Sequence, residues 1–251
     1  MKILKYFFGV LILSLFIACS SSDPDPIDPN EDYVPTPKPL AVPPIFKRLL
    51  PPPNIPADNP QTVEGVALGR KLFFDPILSG DGTQACASCH QPSNSFSDTN
   101  RFSVGIDGLE GTRNSMPIYN MAWSTTDKFF WDGRANSIEE QALGPVENPV
   151  EMHNTWENAV ASLQSHAAYP EMFNKAFGTS NITKELTAKA IAQFERTLIS
   201  ANSPFDKYLL GEGSLTPQEL NGFQIFMDES RGDCFHCHGN DNSPLWTDNA
   251  F

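Results

Sequence analysis

Two stretches of the chain, Cys86-Ala87-Ser88-Cys89-His90 and Cys234-Phe235-His236-Cys237-His238, each set two thiols three positions apart with an imidazole directly after the second. A two-residue gap places both sulfurs on one short turn and aims the following histidine from the same side. That arrangement joins a haem through two thioether bonds and ligates its iron. Zinc would want two such pairs close together in a small unit, whereas His90 and His238 stand 148 positions apart and each pair carries its own histidine. Thiol exchange expects a βαβ setting, which is absent here. The spacing therefore predicts two covalently bound haem c groups, held at Cys86, Cys89, Cys234 and Cys237, with His90 and His238 as proximal iron ligands.

Those four residues leave one of the five cysteines, Cys19. Lys2 and Lys5 precede an apolar run from Tyr6 to Ile17, and Phe16-Ile17-Ala18-Cys19 follows it directly. Residues 1–19 read as a secretion signal, too short for a confident membrane span. The box around Cys19 resembles that of bacterial lipoproteins, whose cysteine becomes lipid-modified and N-terminal. With Ser20 next, the expected location is the periplasm, anchored to the outer membrane. Residues 20–60 hold thirteen prolines and scattered acids and predict an extended tether. Within it, Ile45, Phe46, Leu49 and Leu50 could instead pack on the body as an N-terminal arm. The formal net charge of −13 offers no basic patch for nucleic acid and only weak support for a basic redox partner.

Helices must position the motifs. Thr62 to Phe74 is an amphipathic helix stopped by Asp75-Pro76. Ser137-Ile138-Glu139-Glu140 starts a short helix through Leu143, and Thr216-Pro217-Gln218-Glu219 starts another. Thr183 to Ser200 carries Leu186, Ala190, Ile191, Phe194 and Leu198 on one face. No alternating run argues for an extensive sheet. The expected fold is mainly α, with a first haem domain over 61–195 and a second, incomplete one over 196–251.

From residue 61 to the end the chain resembles the bacterial di-haem cytochrome c peroxidase family, including its MauG-type branch. The resemblance rests on Leu68-Gly69-Arg70-Lys71-Leu72-Phe73-Phe74-Asp75, Leu78-Ser79-Gly80-Asp81-Gly82, Gly111-Thr112-Arg113-Asn114, Phe130-Trp131-Asp132-Gly133-Arg134-Ala135, Glu140-Gln141-Ala142 and Asn148-Pro149-Val150-Glu151-Met152, in that order. It implies two cytochrome c-like domains and reduction of hydrogen peroxide at the His90 haem. Electrons are expected from a small periplasmic cytochrome c or cupredoxin through the His238 haem. Trp131 is the implied electron relay between the haems, Gln141 and Glu151 the distal pair that assists O–O cleavage, and Asn114 a ligand of a calcium ion. By residue chemistry alone Trp131 would read as core, Gln141 as a solvated helix residue, Glu151 as a loop acid and Asn114 as a turn cap. A homodimer completes the expected partners.

Histidines separate the branches. Many members carry a distal histidine in the loop after the first motif, but none occurs here from 91 to 152. This departure favours an open sixth site needing no reductive activation. It keeps MauG-like oxidation of a protein or organic substrate in play; a di-haem electron carrier without peroxide chemistry is a further alternative, against which the Trp131, Gln141 and Glu151 set argues. His153, Met116 and Met121 could in principle reach iron, although surface exposure for His153 and packing for the methionines are the plainer roles. The second motif is followed by only thirteen residues, where the family resemblance implies a further C-terminal portion, so the sixth ligand of its haem is expected beyond Phe251, in a longer chain.

Overall fold

The computed structural model describes residues 33–124 and 126–239, and within them the chain is helical, with isolated β-bridges in place of strands. Residues 1–32, which hold the expected signal and Cys19, and residues 240–251 lie outside the described residues.

Helix α1 (Pro44–Leu49) belongs to the N-terminal arm, and α2 (Val63–Phe74) opens the body. Thr62 caps α2 by accepting from Gly65 N at 3.0 Å, and the helix stops before Pro76 as expected. The first motif forms the one-turn α3 (Cys86–Cys89). After a long irregular stretch come α4 (Ile138–Glu147), α5 (Trp156–Ser165), α6 (Tyr169–Phe177), α7 (Lys184–Glu195), α8 (Pro204–Leu210), α9 (Pro217–Phe226) and α10 (Phe235–His238).

The core forms where α2 crosses α7. A Cβ on Gly69 would stand 1.8 Å from the Ala190 carbonyl oxygen, so the two backbones touch only because that side chain is missing. Around this contact Leu68, Leu72, Leu163, Tyr169, Phe173 and Ile191 are sealed from solvent. A polar seam ties the entry of α2 to α7: Gln193 accepts from Thr62 N at 3.0 Å and donates to Asn59 Oδ1 at 2.9 Å, while Gln61 donates to the Gln193 carbonyl at 2.8 Å.

One expectation needs correction. The extended tether does not hold over 33–60, where the chain lies against the body. Phe46 meets Trp123 edge-on at 4.7 Å, in a cluster with Ile45, Ile199, Leu209 and Leu210, and Arg48 donates to the Leu209 carbonyl at 2.8 Å. Apolar burial at Ile45 and Phe46 outweighs the extension that the prolines favour. The expected second domain starts in contact with the first. Asn120 exchanges side-chain hydrogen bonds with Ser200 and donates its amide to Leu198, binding the start of the expected second domain to the first.

Candidate haem site

On α3, Cys86 and Cys89 lie three apart on one face of the turn. His90 follows as the C-cap, its amide bonded to the Cys86 carbonyl at 2.9 Å. The chain then folds back over Pro92–Asn94, and Ser95 and Phe96 take left-handed backbone at φ 56°. That costly conformation aims the Phe96 carbonyl at His90, whose Nδ1 lies 3.1 Å away. Nδ1 carries the proton in this bond, which leaves the Nε2 lone pair free for a metal. Burial holds the His90 pKa below its usual value, against the pull of the Phe96 and Met116 carbonyls. Burial also pushes the Cys86 thiol up to about 12 and raises that of Cys89. Neither is a reactive thiolate; both suit neutral thioethers in an apolar wall.

These residues open onto a cavity of about 700 Å³, inside the range of cofactor sites. Its wall mixes apolar side chains such as Ile118, Met121, Val146 and Met152 with a few polar ones. A slot of this size beside a paired-cysteine turn and a pre-oriented imidazole fits a covalently bound haem.

The structure brings Trp131, Gln141 and Glu151 into the lining of this one cavity. Gln141 projects from α4, which runs on past the expected end at Leu143 to Glu147. Pro145 lies inside it and, having no N–H, cannot bond the Gln141 carbonyl four residues back. Glu151 follows α4 on a loop clamped from several sides. Its carbonyl accepts from Ile106 N at 3.0 Å, and a Cβ on Gly105 would stand 2.4 Å from the Val150 carbonyl oxygen and 2.7 Å from that of Glu151. Asn148 Nδ2 donates to Glu151 Oε1 at 2.5 Å. Burial raises the Glu151 pKa, while the Asn148 bond and the charge of Arg134 oppose the rise.

Trp131 is half-exposed and donates from Nε1 to the Asn114 carbonyl at 2.8 Å. Arg134, paired with Asp132 at 2.9 Å, lies 3.6 Å above the Phe130 ring and steadies this loop. The Asn114 amide donates to the carbonyls of Asp98 and Asn100 and accepts from Ser97 Oγ. Those bonds occupy both ends of the side chain that the resemblance puts at calcium. Among the described residues no three His, Cys, Asp or Glu side chains gather to hold a metal ion.

His153 pairs with Asp107 at the surface and is not part of the cavity lining. Met116 and Met121 do line it. In the second motif Cys234 caps α10, and His236 is engaged by Asp233 and Glu229. His238 reaches the lining of the first cavity. Sequence reasoning met Asn148 and Arg134 only as parts of motifs, with no role of their own, and passed over Glu195. Glu195 had a signal: it continues the buried Thr187, Ile191 row of α7 at four-residue steps, an acid on an apolar face.

A family model described as di-haem cytochrome c peroxidase matches residues 63–214. The chain is 36% identical over 209 residues to the methylamine utilization protein MauG of Methylophilus methylotrophus, covering 82% of this chain and 60% of that protein. Against the cytochrome c peroxidase Ccp of Escherichia coli strain K12 it is 39% identical over 191 residues, covering 74% and 39%. Among solved structures, a MauG-like protein associated with microbial copper homeostasis superposes with a TM-score of 0.72 at 32% identity, covering 81% of this chain and 60% of that one. The chain thus spans roughly half the length of the curated relatives it matches, between 39% and 60% for the two named.

Proposed function

Since the chain belongs to the di-haem cytochrome c peroxidase family, we propose that it reduces hydrogen peroxide to water at a haem held by Cys86, Cys89 and His90. The electrons come from a small cytochrome c or cupredoxin and pass through a second haem at Cys234, Cys237 and His238. In this reading 61–195 carries the peroxidatic site and 196–251 begins the electron-transfer part. Secretion to the periplasm, with a lipid on Cys19, is part of the same reading and rests on residues 1–19; mass spectrometry of the mature N-terminus tests it.

The observation that carries the proposal is a half-buried carboxyl, Glu151, in the cavity that His90 also lines. A haem bound there supplies the iron that receives peroxide and the path for two electrons. Overall, hydrogen peroxide takes two electrons and two protons and leaves as two waters. Glu151 removes the proton from one oxygen of peroxide and returns it to the other, so that the O–O bond breaks with water as the leaving group. Burial suits it to both halves of that exchange, because it raises the proton affinity of the carboxyl above that of an ordinary glutamate. Asn148 fixes one carboxylate oxygen. Gln141 offers an amide beside the same space and orients peroxide. Trp131, on the cavity wall that His238 shares, relays electrons between the two sites. Glu151→Gln keeps the size and loses the proton carrier. Turnover of peroxide with a reduced cytochrome should fall by about 10²–10⁴ at unchanged haem content; a variant as fast as wild type removes Glu151 from the mechanism.

One observation favours a second reading. No distal histidine faces the cavity from the loop after the first motif, and His153 is held on Asp107. An open site of that kind also suits MauG-like oxidation of a protein or organic substrate. Peroxide consumption that needs such a substrate and ignores reduced cytochrome would select it, and no consumption at all would select an electron carrier.

A further inference from the structure

Glu195 ends α7, is only 4% exposed, and lines the same cavity as Cys86 and His90. Its Oε2 is closed off from solvent with no hydrogen-bond partner among the described residues. The adjacent cation does not answer it. Arg196 spends its Nη2 on both carboxylate oxygens of Glu139, at 2.8 and 2.9 Å, and Asn59 adds a third bond to Glu139 at 2.6 Å. Arg196 Nε and Nη1 are buried without a partner and bond Glu195 through neither, so Glu195 is left as a buried acid beside the proposed haem, with no part in the cleavage assigned to Glu151.

We propose that Glu195 is the redox-linked proton site of the first haem, binding a proton from solvent as an electron enters that haem and releasing it when the electron leaves. The inference rests on the haem assignment made above. Only the carboxyl O–H bond forms or breaks, and the electron is the one delivered by the proposed donor. The physical reason is charge compensation: a buried carboxylate beside a site that gains one negative charge is destabilised, and taking up a proton relieves the repulsion.

The other charged groups around Glu195 do not replace it. Glu139 on α4 and Arg196 at the end of α7 neutralise each other. Glu151, Arg113, Arg134, Asp132 and Lys128 reach the cavity from its surrounding loops, His238 from α10 and His90 from the end of α3. Cys86 loses its proton to thioether formation. Geometry is matched by proton affinity: burial pushes Glu195 up to about 8, with Arg196 opposing and Glu139 adding to the rise.

The test is a spectroelectrochemical titration of the haem-loaded full-length protein from about pH 6 to 10, following the haem that binds cyanide. In wild type the potential should fall as pH rises through the ionisation of Glu195, approaching about 59 mV per pH unit for one proton and one electron. Glu195→Gln should flatten the curve and Glu195→Asp restore the slope. Should the glutamine variant fail to fold, proton uptake by wild type on reduction, read with an indicator dye in weak buffer, decides; zero uptake overturns the proposal. A protein that holds haem and turns over peroxide, yet titrates identically with and without Glu195, refutes this inference alone. One that attaches no haem at Cys86 and Cys89 refutes the functional reading and this inference with it.

Discussion

Glu151 owes its character to two neighbours that act in opposite senses. The protein interior raises its proton affinity, and the 2.5 Å bond from Asn148 lowers it. Removing that donor with Asn148→Ala leaves burial unopposed by a hydrogen bond, so the folded-state pKa of Glu151 should rise further. If the ionised form takes the first proton from peroxide, the acid limb of kcat/KM moves to higher pH, and activity is lost at neutral pH but recovered in more alkaline buffer. A stopped-flow pH profile that does not move would show that Asn148 plays no part in tuning the acid. The His90 side of the cavity follows a different logic. There the strained left-handed pair Ser95 and Phe96 is the device, and what it secures is a tautomer rather than a charge.

Elements explain why those side chains meet. Glu151 sits on a loop whose backbone is pinned by the Ile106 amide and by the chain at Gly105, which passes against it with no side chain between. Gly105→Ala should therefore push the 150–152 segment away from the cavity. Expected are a loss of peroxide turnover of at least about tenfold, a change on the scale of 1–3 kcal/mol of strain, and retention of covalent haem at Cys86 and Cys89. Parallel activity and haem assays would check both. Local signals made much of this frame legible. Thr62, Ser137, Thr183 and Thr216 each accept the amide bond that starts a helix, where the sequence placed those starts. Helices α5, α6 and α8 were passed over, although Thr155 and the Ser203-Asp206 capping box announce two of them. Helix α7 ends at Glu195, before Leu198, because the chain turns there to bond Asn120, a partner far away in sequence. The paired cysteines and His90 could be read directly from their spacing. Gln141 and Glu151 came only from the family resemblance, and the clamp at Gly105 and the orphan oxygen of Glu195 depend on long-range packing that no local pattern records.

At the scale of the whole molecule, α1 settles against α8 and the Trp123 cluster, with Arg48 bonded to a carbonyl 161 positions along the chain. Contacts of that span require a very large loop to close, and closure of this kind comes late because its entropy must be spent before the contact returns anything. Pairing of α2 with α7 spans a shorter loop and buries far more apolar surface, so it should come first. Pulsed hydrogen exchange during refolding should show α2 and α7 amides protected early and those of α1 and α8 gaining protection together afterwards; α1 protected ahead of α7 would reverse the order. Until the arm closes, the face that carries Trp123 and the start of the second motif's segment stays open. The docked arm thus marks time as well as place: it is a late clasp, fastened over Trp123 and the start of the C-terminal segment once α2 and α7 have already set the frame.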